Sequence, residues 1–228
     1  SSDLDNPYIR EWKRENPCQI ITFGRSQEAD VRIKDVRYDL HGAHFTLCID
    51  GEETAFDTKL LGECNIYNIA AAVALARKLG IGMSAIQHAV SELGYVEHRL
   101  EMKLHRDMVL IDDAFNANPE GAAAACDVLA QMPGWRILVT PGMIDLGEQQ
   151  EQFNRCLGTH AAGCADEVIL VGGKQVQPLR QGLLEGGFDE DRIGQVMTMQ
   201  EAFACFEQSP HADKVVLIEN DVPDVLNR

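Results

Sequence analysis

The sequence predicts an α/β protein of two units, and three observations carry that expectation. Beyond about residue 100, short apolar runs alternate with amphipathic segments of helical length. Before it, strand-like runs follow one another directly. Of the 228 residues, 45% are hydrophobic and 25% charged, the balance of a chain that buries a core. A chain this long buries roughly 70% of the surface its unfolded form exposes, enough for one large core or two modest ones, and two are expected.

In the first unit, Phe45, Leu47 and Ile49 alternate with polar or small residues, and Asp50-Gly51 supplies a hairpin turn into residues 54–58. Segments 18–23 and 29–36 read as further strands of an antiparallel patch. A helix is expected from about Asn65 to Leu79, with Ile66, Ile69, Val73, Ala76 and Leu79 near helical spacing and Gly80 as its stop. A second helix starts at a Ser84 cap and shows Ile86, Val90 and Leu93 on one face, so Gly80-Ile81-Gly82 joins a helical hairpin.

In the second unit the order is MVLID (108–112), a helix from Pro119, RILVT (136–140), a helix over 148–162 and EVILV (167–171). A helix over 174–185, a short strand at 193–197, a helix capped by Thr198 with Glu201 three residues on, and KVVLI (214–218) complete it. This alternation predicts a mainly parallel sheet with helices on both faces. The boundary is set between residues 98 and 99.

Acidic side chains outnumber basic ones 36 to 20, a net charge of −16 whose field repels phosphate polymers and anionic headgroups. Nucleic acid and membrane surfaces are therefore not expected partners. No apolar run reaches the ~18 residues of a membrane span and no signal-like segment opens the chain, which points to the cytoplasm. Seven cysteines, at 18, 48, 64, 126, 156, 164 and 205, include no CxxC pair; they read as reduced thiols, and no metal ligand is expected.

Ligands of such sheets bind beyond the carboxyl ends of the strands, so the loops there are informative. The first ends a strand with Asp112 and Asp113 and opens a helix with Asn118 and Pro119. A helix cap accounts for Asn118 and Pro119. It does not account for Asp113, whose carboxylate suits ribose hydroxyls or an amine, and Asn116 stands beside it. The loop from Thr140 to Glu148 carries Gly142, Asp145 and Gly147, permitting close backbone approach to a ligand. Its glycine spacing begins like a phosphate-cradling GxxxxGK loop, but Glu148 replaces the lysine, which excludes that reading. Asn65 and Asn68, three apart at a helix start, project amides to one side, and a cap also explains Asn65. Arg99 in His98-Arg99-Leu100-Glu101 offers a guanidinium suited to phosphate.

LLGECNIYNIAAA, EHRLE, IDDAFNANPEG and TPGMIDLGE, in this order, together with the opening DLDNP, closely resemble the Mur ligase family, and within it the MurF type. The resemblance implies the C-terminal part of a central ATP-binding domain over 1–98, followed by a Rossmann-like C-terminal domain over 99–228. It implies ATP and Mg²⁺ as cofactors. The phosphate loop, of GKT or GKS type, and the magnesium ligands are expected on an N-terminal part that these residues do not include. It further implies an acid–amino acid ligase of peptidoglycan precursor synthesis, inactive as this piece alone, whose partners are small molecules: nucleotide, a UDP-sugar peptide and an amino acid or dipeptide amine. By the same resemblance Arg99 meets the nucleotide phosphates, Asp113 the ribose, and Asn65 with Asn68 the adenine side. Asn116, Asn118, Gly142, Asp145 and Glu148 then face the substrates.

Two departures stand out. Cys64 replaces the usual His before the Asn, and Glu219, Asp221 and Asp224 replace a Lys-Gly-Ser stretch after the last strand. They leave open a related ligase with a substrate outside peptidoglycan, or a noncatalytic nucleotide-binding or interaction module of the same fold.

Overall fold

The computed structural model describes residues 2, 3, 5–8, 11, 20–115 and 117–220. The chain divides into two compact units, residues 1–94 and 95–228.

The described part of the first unit contains a five-stranded sheet and the helices over 63–78 and 83–91. Its strands β1 (Ser2–Asp3), β2 (Thr22–Gly24), β3 (Val31–Asp39), β4 (Gly42–Ile49) and β5 (Glu52–Thr58) lie side by side in chain order. The β3–β4 and β4–β5 pairs are antiparallel, the latter closed by Asp50 and Gly51, both at positive φ as a tight hairpin turn requires. The pairing of β2 with β3 is parallel, which corrects the expectation of a wholly antiparallel patch. β2 spans only three residues and returns to β3 through Asp30, whose carboxylate accepts both the N–H and the hydroxyl of Thr22 at 2.7 Å. Residues 18 and 19 of the expected strand lie outside the described residues.

Phe45, Leu47 and Ile49 are buried as their alternation requires, and the Phe45 ring stacks on Phe56 at 5.5 Å. Helix α1 (Glu63–Lys78) buries Ile66, Ile69, Ala70, Val73 and Ala74. It starts earlier than expected, at a Gly62 cap, and Leu79 beyond its end is 71% exposed rather than part of the stripe. Helix α2 (Met83–Ser91) is capped by Gly82 rather than Ser84 and buries Ile86 and Val90.

The second unit is a six-stranded sheet. Its strands are β6 (Glu101–His105), β7 (Met108–Asp113), β8 (Trp135–Thr140), β9 (Glu167–Val171), β10 (Ile193–Val196) and β11 (Lys214–Glu219), in the order β10-β9-β8-β11-β7-β6. All pairs are parallel except β6–β7, a hairpin not foreseen from sequence. The helices α3 (Pro119–Gln131), α4 (Gln150–Ala161), α5 (Gln177–Glu185) and α6 (Met199–Gln208) make the crossovers. Three successive connections step toward β10, and α6 then returns the chain to the centre, so a constant right-handed crossover puts α6 on the opposite face from the others. One core layer accordingly joins Ala202 and Phe206 of α6 to Leu110, Val139, Ile169 and Val216. The alternate residues Leu138, Leu170 and Leu217, all buried, point to the other face.

Local chemistry sets the helix ends. Asn118 caps α3, its side-chain oxygen accepting the Gly121 N–H at 2.9 Å. Thr198 and Glu201 form the expected reciprocal capping box on α6. The helix foreseen over 148–162 is α4 preceded by one 3₁₀ turn, and that over 174–185 is α5 with a similar turn before it. Buried Lys214 opens β11, its ammonium donating to the carbonyls of Phe206 and Ser209 at 3.0 Å, where the α6 dipole is negative.

Helices α4 and α5 touch backbone to backbone through Gly158 and Gly182, where a methyl on either would strike a carbonyl oxygen of the partner helix. Overpacking at such a contact typically costs 1–3 kcal/mol. Gly182→Ala is expected to destabilise the chain by about 2 kcal/mol, read as a lower urea midpoint with an unchanged m-value. A midpoint equal to the parent's would show that the helices can separate without cost.

Candidate functional site

In a parallel sheet all strands finish on one edge, and here that edge gathers Asp113 from β7, Thr140 from β8 and Glu219 from β11. The central placement of β11 lets the next residue, Asn220, join two loops. Its backbone N–H donates to the Asp113 carbonyl at 3.1 Å, and its side-chain amide donates to the Gly142 carbonyl at 2.9 Å.

The loop after β8 is held from below as well. Buried Asn154 on α4 accepts the Met143 N–H at 2.8 Å and donates to the Met143 carbonyl at 2.8 Å and the Gln150 carbonyl at 2.9 Å. Gly142 sits at φ 77°, and an added Cβ would press on the Asn154 side-chain oxygen, so glycine is required twice over. Gly142 is buried, whereas Asp145, at φ 62°, and Glu148 are exposed.

Asp112 and Asp113 divide their duties. One oxygen of Asp112 pairs with Lys103 Nζ at 2.7 Å and His98 Nδ1 at 2.9 Å. Burial opposes its ionisation, but these partners win and hold the carboxyl below the usual range. Asp113 accepts the Leu100 N–H at 3.0 Å. Burial pushes its carboxyl up, against the opposing pull of Leu100, Glu219 and Arg99.

The neighbour opposite Asp113 in register is Glu219, 1% exposed. Burial first, and then the Asp113 charge, raise its carboxyl well above the ordinary value. Glu219 therefore keeps its proton and donates it to Asp113, as two carboxylates this close cannot both ionise. Its second oxygen, Oε2, has no hydrogen-bond partner.

The Leu100 bond also shapes the Arg99 turn. His98 and Leu100 stand at positive φ, 58° and 46°, and the Phe115 N–H donates to the His98 carbonyl at 3.2 Å. Arg99 is exposed, with its guanidinium 4.8 Å above the Phe115 ring. The second unit thus brings Arg99, Asp113 and the helix-capping Asn118 to the ends of one loop.

In the first unit, Asn65 is not a cap: it lies in the first turn of α1 and donates to the Leu61 carbonyl at 2.7 Å, while Asn68 is exposed one turn on. Asn116, Asp221 and Asp224 lie outside the described residues. Sequence reasoning missed Lys103, Asn154, Phe115 and Asn220. Of these only Asn220 carried a local signal, a polar residue directly after a strand end.

For magnesium, the donor chemistry of this edge is a poor match. Asp112 is paired with two basic side chains and Asp113 with a protonated carboxyl, leaving no cage of free oxygens. The exposed Arg99 guanidinium is instead suited to an anion. No helix among the described residues is long and apolar enough to cross a membrane.

Residues 3–76 match the Mur ligase middle domain, and residues 98–221 match the Mur ligase, glutamate ligase domain. The UDP-N-acetylmuramoyl-tripeptide--D-alanyl-D-alanine ligase of Bacillus subtilis (strain 168) is 27% identical over 89% of this chain and 44% of its own length. The enzyme of the same name from Escherichia coli (strain K12) is 34% identical over 64% of this chain and 33% of its own. The chain thus spans less than half the length of these curated relatives. The crystal structure of MurF ligase from Thermotoga maritima in complex with ADP shares the fold, with a TM-score of 0.81 over 99% of this chain and 51% of that one, at 17% identity.

The Glu219 proton makes stability depend on pH. A carboxyl whose folded pKa is raised contributes fully below the unfolded value, about 4.3, and progressively less as pH climbs toward the folded value, by up to about 1.4 kcal/mol per pH unit. Glu219→Gln keeps a donor to Asp113 without a titrating proton. Urea unfolding between about pH 5 and 7 is expected to show the parent losing stability as pH rises and the variant gaining on it. Equal slopes for the two would mean that Glu219 is ionised in the folded chain.

Proposed function

The chain belongs to the Mur ligase family, and on that premise we propose that it supplies the middle and C-terminal parts of an ATP-dependent amide ligase of MurF type, acting on a peptidoglycan precursor. In this reading ATP phosphorylates a substrate carboxylate, an amine attacks the acyl phosphate, and the tetrahedral intermediate collapses to an amide with release of phosphate. Such chemistry needs anionic charge matched by cations, and the amine held in line with the acyl carbon.

The observation that carries the reading is the Arg99 turn. A guanidinium stacked on Phe115, on a turn pinned through Leu100 to Asp113, presents a fixed cation where β7 ends. Arg99 is assigned to the nucleotide phosphates and Asp113 to the ribose hydroxyls and to positioning Arg99. In the first unit Asn68, with Asn65, is assigned to the adenine. Asn118, Gly142, Asp145 and Glu148 are assigned to the loops that order the amine substrate, and Asn116 joins them by its place in the sequence. A second reading, a related ligase with another substrate, draws on the acidic Glu219, Asp221 and Asp224 in the stretch where the family's pattern carries Lys-Gly-Ser.

The 228 residues include no GKT or GKS phosphate loop. The chain alone is therefore expected to bind ADP weakly and to consume no ATP. Since a hydrogen bond to a charged group contributes about 1.5–3 kcal/mol, Arg99→Ala should weaken ADP binding by roughly tenfold or more in a calorimetric titration. ADP affinity unchanged in Arg99→Ala, or ATP turnover by the chain that Asp113→Ala abolishes, would overturn this assignment.

A further inference from the structure

Away from the carboxyl-edge loops, Asp127 on α3 and His160 on α4 converge with Cys164, three residues past the end of α4. One ligating atom from each lies within 4.8 Å of the other two. His160 Nε2 is 2.8 Å from Asp127 Oδ1, and the Cys164 thiol points back along the helix to the His160 carbonyl at 3.4 Å. Asp127 and His160 are exposed while Cys164 is buried, so the group is open to solvent on one side and walled by protein on the other.

We propose that Asp127, His160 and Cys164 form a three-ligand site for a borderline divalent ion of the Zn²⁺ class, tying α3 to the end of α4. Imidazole, thiolate and a single carboxylate are the donor types such an ion selects, and they are wrong for magnesium or calcium, which take cages of oxygen. Bond lengths of about 2.0–2.1 Å to N and O and about 2.3 Å to S put tetrahedral ligands roughly 3.3–3.6 Å apart. The Asp127–His160 pair need only open by about half an ångström, which two exposed side chains can do by small rotations. The site lies at the C-terminus of α4, where the helix dipole favours a cation. Arg136, whose charge reaches Cys164, is already neutralised by a two-pronged pair with Asp166 at 2.8 and 2.9 Å. On binding, the thiol passes its proton to solvent and water completes the coordination.

The test is a titration of the chelator-stripped full chain with Co²⁺, a coloured substitute for Zn²⁺. The expected result is a near-ultraviolet thiolate-to-cobalt absorption with the visible bands of a tetrahedral ion, both discharged by Zn²⁺. Cys164→Ser should abolish the thiolate band, and His160→Gln, an exposed change that leaves folding intact, should weaken binding by more than about tenfold. Cys205→Ser, at an exposed thiol on α6, should leave the spectrum unchanged. Zn²⁺ should also raise the melting temperature of the parent and not that of His160→Gln. Absence of the thiolate band in the parent, or its survival in Cys164→Ser, overturns the proposal.

Discussion

The second unit depends on its last described strand, β11, entering the middle of the sheet. All six residues of β11 are buried, including Lys214 at its start and Glu219 at its end. A strand buried with an ionisable group at each terminus needs a partner for each, and each finds a different one. Lys214 donates to carbonyls at the end of α6, and Glu219, its carboxyl pushed well above the ordinary value by burial and by the Asp113 charge, pairs with Asp113. Were β11 absent, β7 and β8 would have no common neighbour, and the loops after them no shared support in Asn220.

This support explains why a turn with two left-handed residues persists around Arg99. His98 and Leu100 cost of order 1 kcal/mol each in such a conformation, and β7 with the loop after it offsets that through the Leu100–Asp113 and His98–Phe115 bonds. The benefit falls on Arg99. A long side chain that would otherwise lose its rotamer freedom on meeting an anion is already laid against Phe115, so part of that entropy is lost on folding instead.

Most of the architecture was legible because it is written in periodicity. The run MVLID, RILVT, EVILV and KVVLI announces buried parallel strands, and Asn118, Thr198 and Glu201 mark helix starts with side chains that do cap them. What escaped was of two kinds. Strand β6 carries Glu101, Lys103 and His105 on a sheet edge where β7 is its one strand neighbour, so its own pattern is weak. The direction of β2 depends on which neighbour it meets, not on its three residues. At the candidate site, Asp113 and Gly142 could be singled out from loop position. Their partners Glu219, Asn220 and Asn154 could not be paired with them, because the sheet order that joins them is a property of topology rather than of spacing. The α3–α4 cluster is invisible for the same reason: Asp127 and His160 are 33 residues apart with no motif between them.

The margins of the second sheet are as telling as its centre. An open sheet presents unpaired backbone groups along its outermost strands, an invitation to pair with another chain. Here one margin is β6, whose Lys103 and Glu101 hold each other at 2.9 Å on one face, with Leu104, 80% exposed, on the other; the second margin is β10, four residues long and interrupted by Gly194. Charge on one rim and brevity on the other discourage edge-to-edge growth, so a protein whose middle strands carry long aliphatic runs should resist assembling into fibres at high concentration.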